Sequence, residues 1–318
     1  MMERIVITGT ASILPEKIPH LDVENATCRT TTFSSAKEME HRRQTVVSTQ
    51  LLQLCQQLFR DAGLDGVNVA GEETGLVSGA YYGCMSVTQG ILTTLHQKGP
   101  RGVDAIEFAK ATHSFPLSAV SIAFSLLGPA AAVVSDELAS LDALMMARDW
   151  LLAGRCQRVI VAGYEHFSPL LQAHLGHLAS EGHYCDNLSV VMLETQSSAL
   201  ARGAVIRAEV LGLRRFSGSL EKMTRQWGTE LQQLGTGTEA CHVLSVSSPQ
   251  PAARSLEQAI GSHYSRSHHQ RSEAPQVLGA TAVLQLANMV QAPLAGEWVL
   301  NTFATAGGGM LHLRLDAL

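Results

Sequence analysis

Two spacings of apolar residues alternate along the 318-residue chain. Short unbroken apolar runs are what buried strands require, and longer stretches with one apolar face are what helices require. Ile5-Val6-Ile7 is the first such run, and Gly75-Leu76-Val77-Ser78-Gly79 is another, entering a glycine-bearing turn. Ala131 to Ser135, Arg158 to Ala162, Leu188 to Glu194, Ala204 to Leu213 and His242 to Ser247 continue the strand set. Trp298 to Phe303 and Leu311 to Leu315 form a closing pair around Gly307-Gly308-Gly309. Helices are predicted from about Ser34 to Asp61, ahead of Gly63, and from Glu137 to Ala153, ahead of Gly154. Ser168-Pro169 opens another to about Ala179, and Pro251 to Ile260 and Gly279 to Val290 complete them. Residues 214–240 are polar without a clear period, and Tyr264 to Pro275 reads as an exposed loop. Continuous apolar strands alternating with helices predict an α/β fold whose sheets are covered on both faces.

The segment from Ala111 to Ser135 carries no Asp, Glu, Lys or Arg, which invites a membrane-spanning reading. Pro116 and Gly128-Pro129 interrupt it. The piece between them, Pro116 to Leu127, makes about 18 Å of helix against a hydrocarbon core of about 30 Å. A buried helix is the expectation, with no membrane span. Composition narrows the function classes further. The chain is 46% hydrophobic, too apolar for a disordered polymer. Only 16% of it is charged, against about 25% in an average soluble domain. Lys+Arg 23 against Asp+Glu 28 leaves −5, and no basic run exceeds Arg42-Arg43 or Arg214-Arg215. Nucleic acid is therefore not an expected partner. Cys28, Cys55, Cys84, Cys156, Cys185 and Cys241 follow no repeated spacing, so they are neither a disulfide framework nor a CxxC metal pair. The opening Met-Met-Glu-Arg-Ile-Val-Ile lacks the parts of a signal peptide, and a reducing, cytoplasmic setting is expected.

Several segments, in order, resemble the β-ketoacyl synthase branch of the thiolase-like fold. Arg4-Ile-Val-Ile-Thr-Gly-Thr is similar to the opening strand and turn. Ser118 to Pro129 resembles the helix leading into the nucleophile strand, and Leu141-Asp-Ala-Leu and Ala153 to Gly163 follow it. Ser168-Pro-Leu-Leu, Leu193-Glu and Ala199-Leu-Ala-Arg-Gly-Ala204 come next, and Asn301-Thr-Phe with Gly307-Gly308 is similar to the closing glycine-rich strand. The likeness is good to about Leu213 and patchy afterwards. It implies a five-layered αβαβα core of two duplicated halves, residues 1–197 and a reduced C-terminal half, residues 198–318.

The family condenses acyl chains through a cysteine at a helix N-terminus and two histidines. The helix dipole and its free N–H groups favour a thiolate and an adjacent oxyanion. Counting from Gly128-Pro129 to Leu141 without a gap places Glu137 at the cysteine position. A carboxylate is a poor reversible acyl carrier, because its acyl product is a labile anhydride. At a helix N-terminus such a carboxylate is worth about 0.3–1 kcal/mol, and it is also placed to plug or hydrogen-bond a vestigial pocket. Gly235-Thr-Gly-Thr238 imitates the histidine-led HGTGT motif but follows Leu234, while the register on strand His242 to Ser247 puts Leu244 at that histidine. Gln276, in Gln276-Val-Leu-Gly-Ala280, stands at the second histidine. Thr305 falls at the family's phenylalanine gate, and Arg271 near its lysine. These departures imply a lost condensing site.

Other local signals favour plainer readings. His174, His177, His183 and Cys185 have a spacing that could suggest zinc, but ordinary side chains of a helix and loop are the preferred reading. His263, His268 and His269 read as solvated, and Cys84 reads as a buried inert thiol rather than a displaced nucleophile. No P-loop, dinucleotide glycine pattern or GxSxG elbow is present, and neither metal nor cofactor is implied. The resemblance implies a non-catalytic, chain-length-factor-like subunit paired with an active ketosynthase, serving type II polyketide or polyene synthesis with an acyl carrier protein. Cys84, Met85, Glu137, Leu171, His174 and Thr305 are the tunnel candidates, and Ala132, Val133, Val134, Ser135 and Asp136 the interface candidates. The alternatives are a malonyl-carrier-protein decarboxylase using Glu137 and a homodimeric scaffold without acyl binding. Low charge content fits a large subunit interface, whose core is depleted of charge.

Overall fold

The computed structural model describes residues 3–13, 29–31, 44–64, 69–178, 183–233, 242–261, 264, 268–271, 277–292 and 295–315; of 29–31, 176–178, 183 and 268–271 it describes the backbone alone. The first part of the chain gives β1 (Ile5–Ile13), β2 (Arg29–Thr31), α1 (Val46–Asp61), β3 (Thr74–Ala80), α2 (Met85–Lys98), α3 (Ala105–Lys110) and α4 (Phe115–Phe124). Then come β4 (Ala130–Val134), α5 (Ala139–Leu152), β5 (Arg158–Glu165), α6 (Pro169–Leu178), β6 (His183–Cys185), β7 (Asn187–Thr195) and α7 (Gln196–Ala201). The remainder gives β8 (Ala208–Ser217), α8 (Leu220–Gln233), β9 (His242–Ser247), α9 (Pro251–Gly261), β10 (His268–Arg271), α10 (Thr281–Gln291), β11 (Gly296–Ala304) and β12 (Gly307–Leu315).

Ten strands hydrogen-bond in the order β10-β9-β11-β12-β8-β1-β7-β5-β3-β4. Outward from the β8–β1 contact, each arm carries two antiparallel pairings and then two parallel ones. β1, β7, β5, β3 and β4 on one arm thus correspond in order and polarity to β8, β12, β11, β9 and β10 on the other. The arms join where Ile5 to Ile7 pair with Val210 to Ala208.

Side-chain alternation explains the layers. In β5, Val159 and Val161 point into one core cluster while Ile160 and Ala162 point into another. In β11, Trp298 and Leu300 join the first cluster, and Val299 and Phe303 join a third. The shared central cluster contains α5 and α10, through Leu141, Leu144, Val283 and Leu286, between the two arms. α1 and α4 cover the outer face of the first arm through Leu51, Leu58, Leu117 and Val120. α8 and α9 cover the second through Met223, Trp227 and Leu256. The result is helix, sheet, helix, sheet, helix, the five-layered arrangement expected.

Local chemistry fixes the boundaries. α1 starts at Val46 because Thr45 and Ser48 cap each other, Thr45 N–H donating to Ser48 Oγ at 2.7 Å and Ser48 N–H to Thr45 Oγ1 at 3.1 Å. Gly79 in β3 is where α5 lies closest, and a Cβ there would overlap the Ala139 carbonyl. Several expectations change. The polar stretch after Leu213 holds α8, whose Met223, Trp227 and Leu231 recur every four residues on one buried face. The stretch read as a loop after Tyr264 contains β10, parallel to β9 from His268 opposite His242 to Arg271 opposite Ser245. Two helices between Met85 and Lys110 carried no predicted element. The helix expected to be fully buried, α4, buries Pro116, Leu117 and Val120 but leaves Ile122 81% exposed, with Leu127 beyond its end 71% exposed. No helix among the described residues is long and apolar enough to cross a membrane.

Candidate functional site

The turn between β4 and α5 is held from both sides. Asp136 Oδ1 accepts from Leu138 N–H at 2.9 Å, and Asp136 Oδ2 accepts from Arg215 Nη2 at 2.6 Å. Arg215 also donates to Asp142, which accepts from Ser135 Oγ at 2.8 Å. Ser135 and Asp136 thus lie beyond the end of β4 and are tied inward to α5 and β8. β4 itself is the last strand of its arm, paired with β3 on one side, and Val134 is 50% exposed.

Glu137 stands two residues before α5 begins, so its carboxylate does not cap that helix. Its Oε1 accepts from Ser248 Oγ at 2.6 Å and its Oε2 from Thr305 N–H at 2.7 Å. The carboxylate therefore ties the α5 turn to the residue following β9 and to the β11–β12 turn. Ser248 N–H in turn donates to Phe303 O at 2.8 Å, which fixes the end of β9 beside β11. Leu244 does not reach Glu137. It pairs with Leu300 in mid-strand and packs on the central cluster, so the residue following β9 that faces Glu137 is Ser248. The space beside Glu137 is lined by Val246, Leu278, Thr281, Thr302 and Phe303 and leaves about 10 Å³ to the centre of a water molecule. That is room for about one water. Leu278 on its rim has φ +44°, a conformation that costs a non-glycine residue about 1–3 kcal/mol. Gln276, Leu234 and Gly235-Thr-Gly-Thr238 lie outside the described residues, and Arg271 is described by its backbone alone.

Of the other tunnel candidates, Leu171 and Met85 lie in the cluster around Leu278. Leu171 is buried with Phe167, Leu175, Tyr184 and Leu278, and Tyr81, Tyr82 and Met85 pack against them. His174 points outward from α6. Cys84 is buried, its Sγ lying 3.5 Å from Thr112 O and 3.8 Å from Tyr164 Oη, and burial pushes its thiol above the ordinary range. Cys185 is also buried, while the side chains of His177 and His183 are outside the described set. His263 is outside it too.

Four consecutive residues at the end of β5 organise this side of the molecule, a feature that carried no sequence motif. Glu165, fully buried, accepts from the backbone N–H groups of Tyr82 and Gly83 at 3.0 Å each, and also from those of Tyr81 and Gly279. Burial raises its carboxyl to about 7, against the opposing pull of those N–H donors. His166 Nδ1 lies 2.8 Å from Ser86 Oγ in the first turn of α2. Phe167 N–H donates to the buried Asp186 at 2.7 Å. Ser168 Oγ accepts from Leu171 N–H at 3.2 Å and starts α6. Only Ser168, in Ser168-Pro169, was marked in the sequence; Glu165, His166 and Phe167 offered no more than polar residues following an apolar strand, which is common to many strand ends.

The N-terminal domain of the β-ketoacyl synthases matches residues 21–180, half of the chain. No curated protein sequence matches it. Among solved structures, a chain of the AntDE:AntF assembly, a type II PKS acyl-carrier protein in complex with its ketosynthase, superposes with a TM-score of 0.82 at 14% identity, covering 99% of this chain and 100% of that one. A β-ketoacyl synthase from Burkholderia phymatum STM815 gives 0.81 at 16% identity over 99% and 100%. The ishigamide ketosynthase/chain length factor gives 0.80 at 15% identity over the whole of both chains. At these identities the likeness establishes a thiolase-like ketosynthase fold, and with the sequence match over residues 21–180 it leads to one conclusion: the chain belongs to the β-ketoacyl synthase family.

Proposed function

We propose that this chain is a non-condensing, chain-length-factor-like subunit that pairs with an active ketosynthase and shapes the acyl tunnel of a type II polyketide or polyene system. In this reading Glu137 stands at the position of the nucleophilic cysteine, and residues 1–197 and 198–318 are the duplicated halves. The observation that carries it is the engagement of both Glu137 oxygens, by Ser248 Oγ and Thr305 N–H. A carboxylate so held is a structural tie. Each oxygen already accepts one hydrogen bond, and the space beside the carboxylate admits about one water, too little for an acyl substrate. The decarboxylase alternative gains no support from that geometry.

Pairing draws support from the open edge of β4 and the apolar surface around α4, which packs on it. Ile122, Leu127 and Val134 are 81%, 71% and 50% exposed, more large apolar surface than an isolated helix and edge strand need to leave in water. Open sheet edges are normally covered or charged, and β4 carries neither charge nor proline. The acyl carrier protein would then be met through the complex, in a reducing cytoplasm. The test is co-expression with a ketosynthase that retains its cysteine, followed by size-exclusion chromatography. A stable heteromeric complex is expected, and Val134→Glu should reduce complex recovery at least tenfold without lowering the melting temperature of the isolated chain. Separate elution of the two proteins, with the ketosynthase fully active alone, overturns the proposal.

A further inference from the structure

We propose that Ser86, His166 and Asp186 form a second, serine-based acyl-transfer centre that hydrolyses acyl thioesters or activated esters. It is separate from the Glu137 turn and does not depend on the reading of that turn. Ser86 Oγ lies 2.8 Å from His166 Nδ1, and His166 Nε2 lies 3.7 Å from Asp186 Oδ2. The first distance is a direct hydrogen bond. The second is long for one, and it is short enough for the carboxylate to orient the ring, as catalytic contacts tighten when substrate binds. Nucleophile, base and orienting carboxylate come from three separate parts of the chain: the start of α2, the end of β5 and the junction of β6 with β7.

Each member is held by its surroundings. Asp186 is fully buried; its Oδ1 accepts the Phe167 N–H at 2.7 Å, and its Oδ2 lies on the imidazole side. His166 is 12% exposed, and burial pulls its pKa down to about 4, so the ring is neutral across the neutral range and has a lone pair for the serine hydroxyl. The next residue back, Glu165, grips the N–H groups of Tyr81, Tyr82 and Gly83 and so fixes the loop that delivers α2. Leu170 N–H donates to Gln89 Oε1 at 3.1 Å, which ties the starts of α6 and α2 together. Ser86 occupies the first turn of a 14-residue helix, where the Val87 and Thr88 N–H groups donate to Cys84 O and the helix dipole favours an oxyanion. Met85, the residue before Ser86, packs on the buried apolar cluster of Phe167, Leu171 and Tyr184, which anchors the start of α2.

The chemistry balances without any further reagent than water. Ser86 Oγ attacks the acyl carbonyl carbon while its proton passes to His166 Nδ1. The carbon–sulfur bond of a thioester, or the carbon–oxygen bond of an ester, breaks, and His166 returns the proton to the departing thiolate or alkoxide. Water then attacks the acyl-Ser86 ester and gives a proton to His166. The carbon–Oγ bond breaks, Ser86 regains the proton, and the carboxylic acid leaves.

The test treats the full chain with an alkyl fluorophosphonate and follows intact mass, then maps the adduct and measures release from p-nitrophenyl butyrate. One adduct on Ser86 is expected, absent in Ser86→Ala. His166→Gln should slow labelling at least about 100-fold. Asp186→Asn keeps an acceptor for Phe167 N–H, so it should leave melting unchanged while slowing labelling at least about tenfold and shifting the His166 ring-nitrogen resonances towards the other tautomer. Ser86→Ala removes only a partly exposed hydroxyl and decides the matter even if a histidine or aspartate variant unfolds. An unlabelled wild-type protein, a label that survives in Ser86→Ala, or ester release unchanged by that substitution overturns the proposal.

Discussion

At the residue scale, two glutamates carry distinct burdens. Glu137 joins three segments through two hydrogen bonds, so Glu137→Ala should lower stability by about 1–2 kcal/mol, with Glu137→Gln losing less because its carbonyl still accepts. Differential scanning calorimetry of the two variants checks the order. Glu165 is harsher. Its oxygens face only N–H donors, and Glu165→Gln turns an amide donor against them, which should cost about 1–3 kcal/mol in the same measurement. Burial also gives it a pH signature. Its folded pKa of about 7 lies above the ordinary 4.5, so the folded chain keeps a proton that the unfolded chain has released. The resulting stabilisation is complete below about pH 4.5 and is lost as pH rises through 7. The nearby titratable groups Tyr82, Tyr164 and Cys84 are all raised and stay neutral across that window. His166, whose pKa burial lowers to about 4, and the likewise lowered His113 and His312 release protons on folding and give the opposite slope up to about pH 6.5. Denaturant titrations between pH 5 and 7.5 should therefore show the Glu165→Gln profile rising relative to the wild type by up to about one proton's slope.

Among elements, the close packing of α5 on β3 allows a sharp prediction. Gly79→Ala places a methyl group against the backbone of Ala139 and Ser140, atoms that cannot rotate away, and should cost about 1–3 kcal/mol by chemical denaturation. This scale also shows what the chain made legible. The strands β3, β5, β7 and β11 read clearly because their runs are apolar on both faces, as a sheet between helix layers demands. α8 escaped notice because its buried apolar residues are three among many polar ones, although the four-residue spacing of Met223, Trp227 and Leu231 was present. α2 escaped for another reason: none of its residues is buried, so it has no core stripe to reveal it. At the Glu137 turn, counting from Gly128 singled out the glutamate from the sequence, but its partners Ser248 and Thr305 come from folding the second arm over the first. Ser86, His166 and Asp186 were invisible in the same sense, since no local spacing relates them.

For the whole molecule, the low charge content resolves into a location. The arms are each covered on their outer faces, yet among the described residues nothing pairs with the outer edge of β4, and neither β4 nor α4 carries a charge. Ile122→Asp should therefore leave the isolated chain's melting temperature within about 1 °C, because that side chain already stands in water, while weakening association with a ketosynthase partner at least tenfold by surface plasmon resonance. The seam between the arms has a different consequence, for the order in which the protein is made. Ile5 pairs with Thr195 on one side and with Val210 on the other. Neither partner exists while a ribosome is still threading out β3, β4 and β5. The first arm must wait, with β1 unpaired, until translation passes β7, and the bridge to the second arm waits until β8 emerges. Vectorial synthesis therefore delivers a long-lived intermediate with an apolar strand at its free edge, the kind of species that chaperones are built to shield.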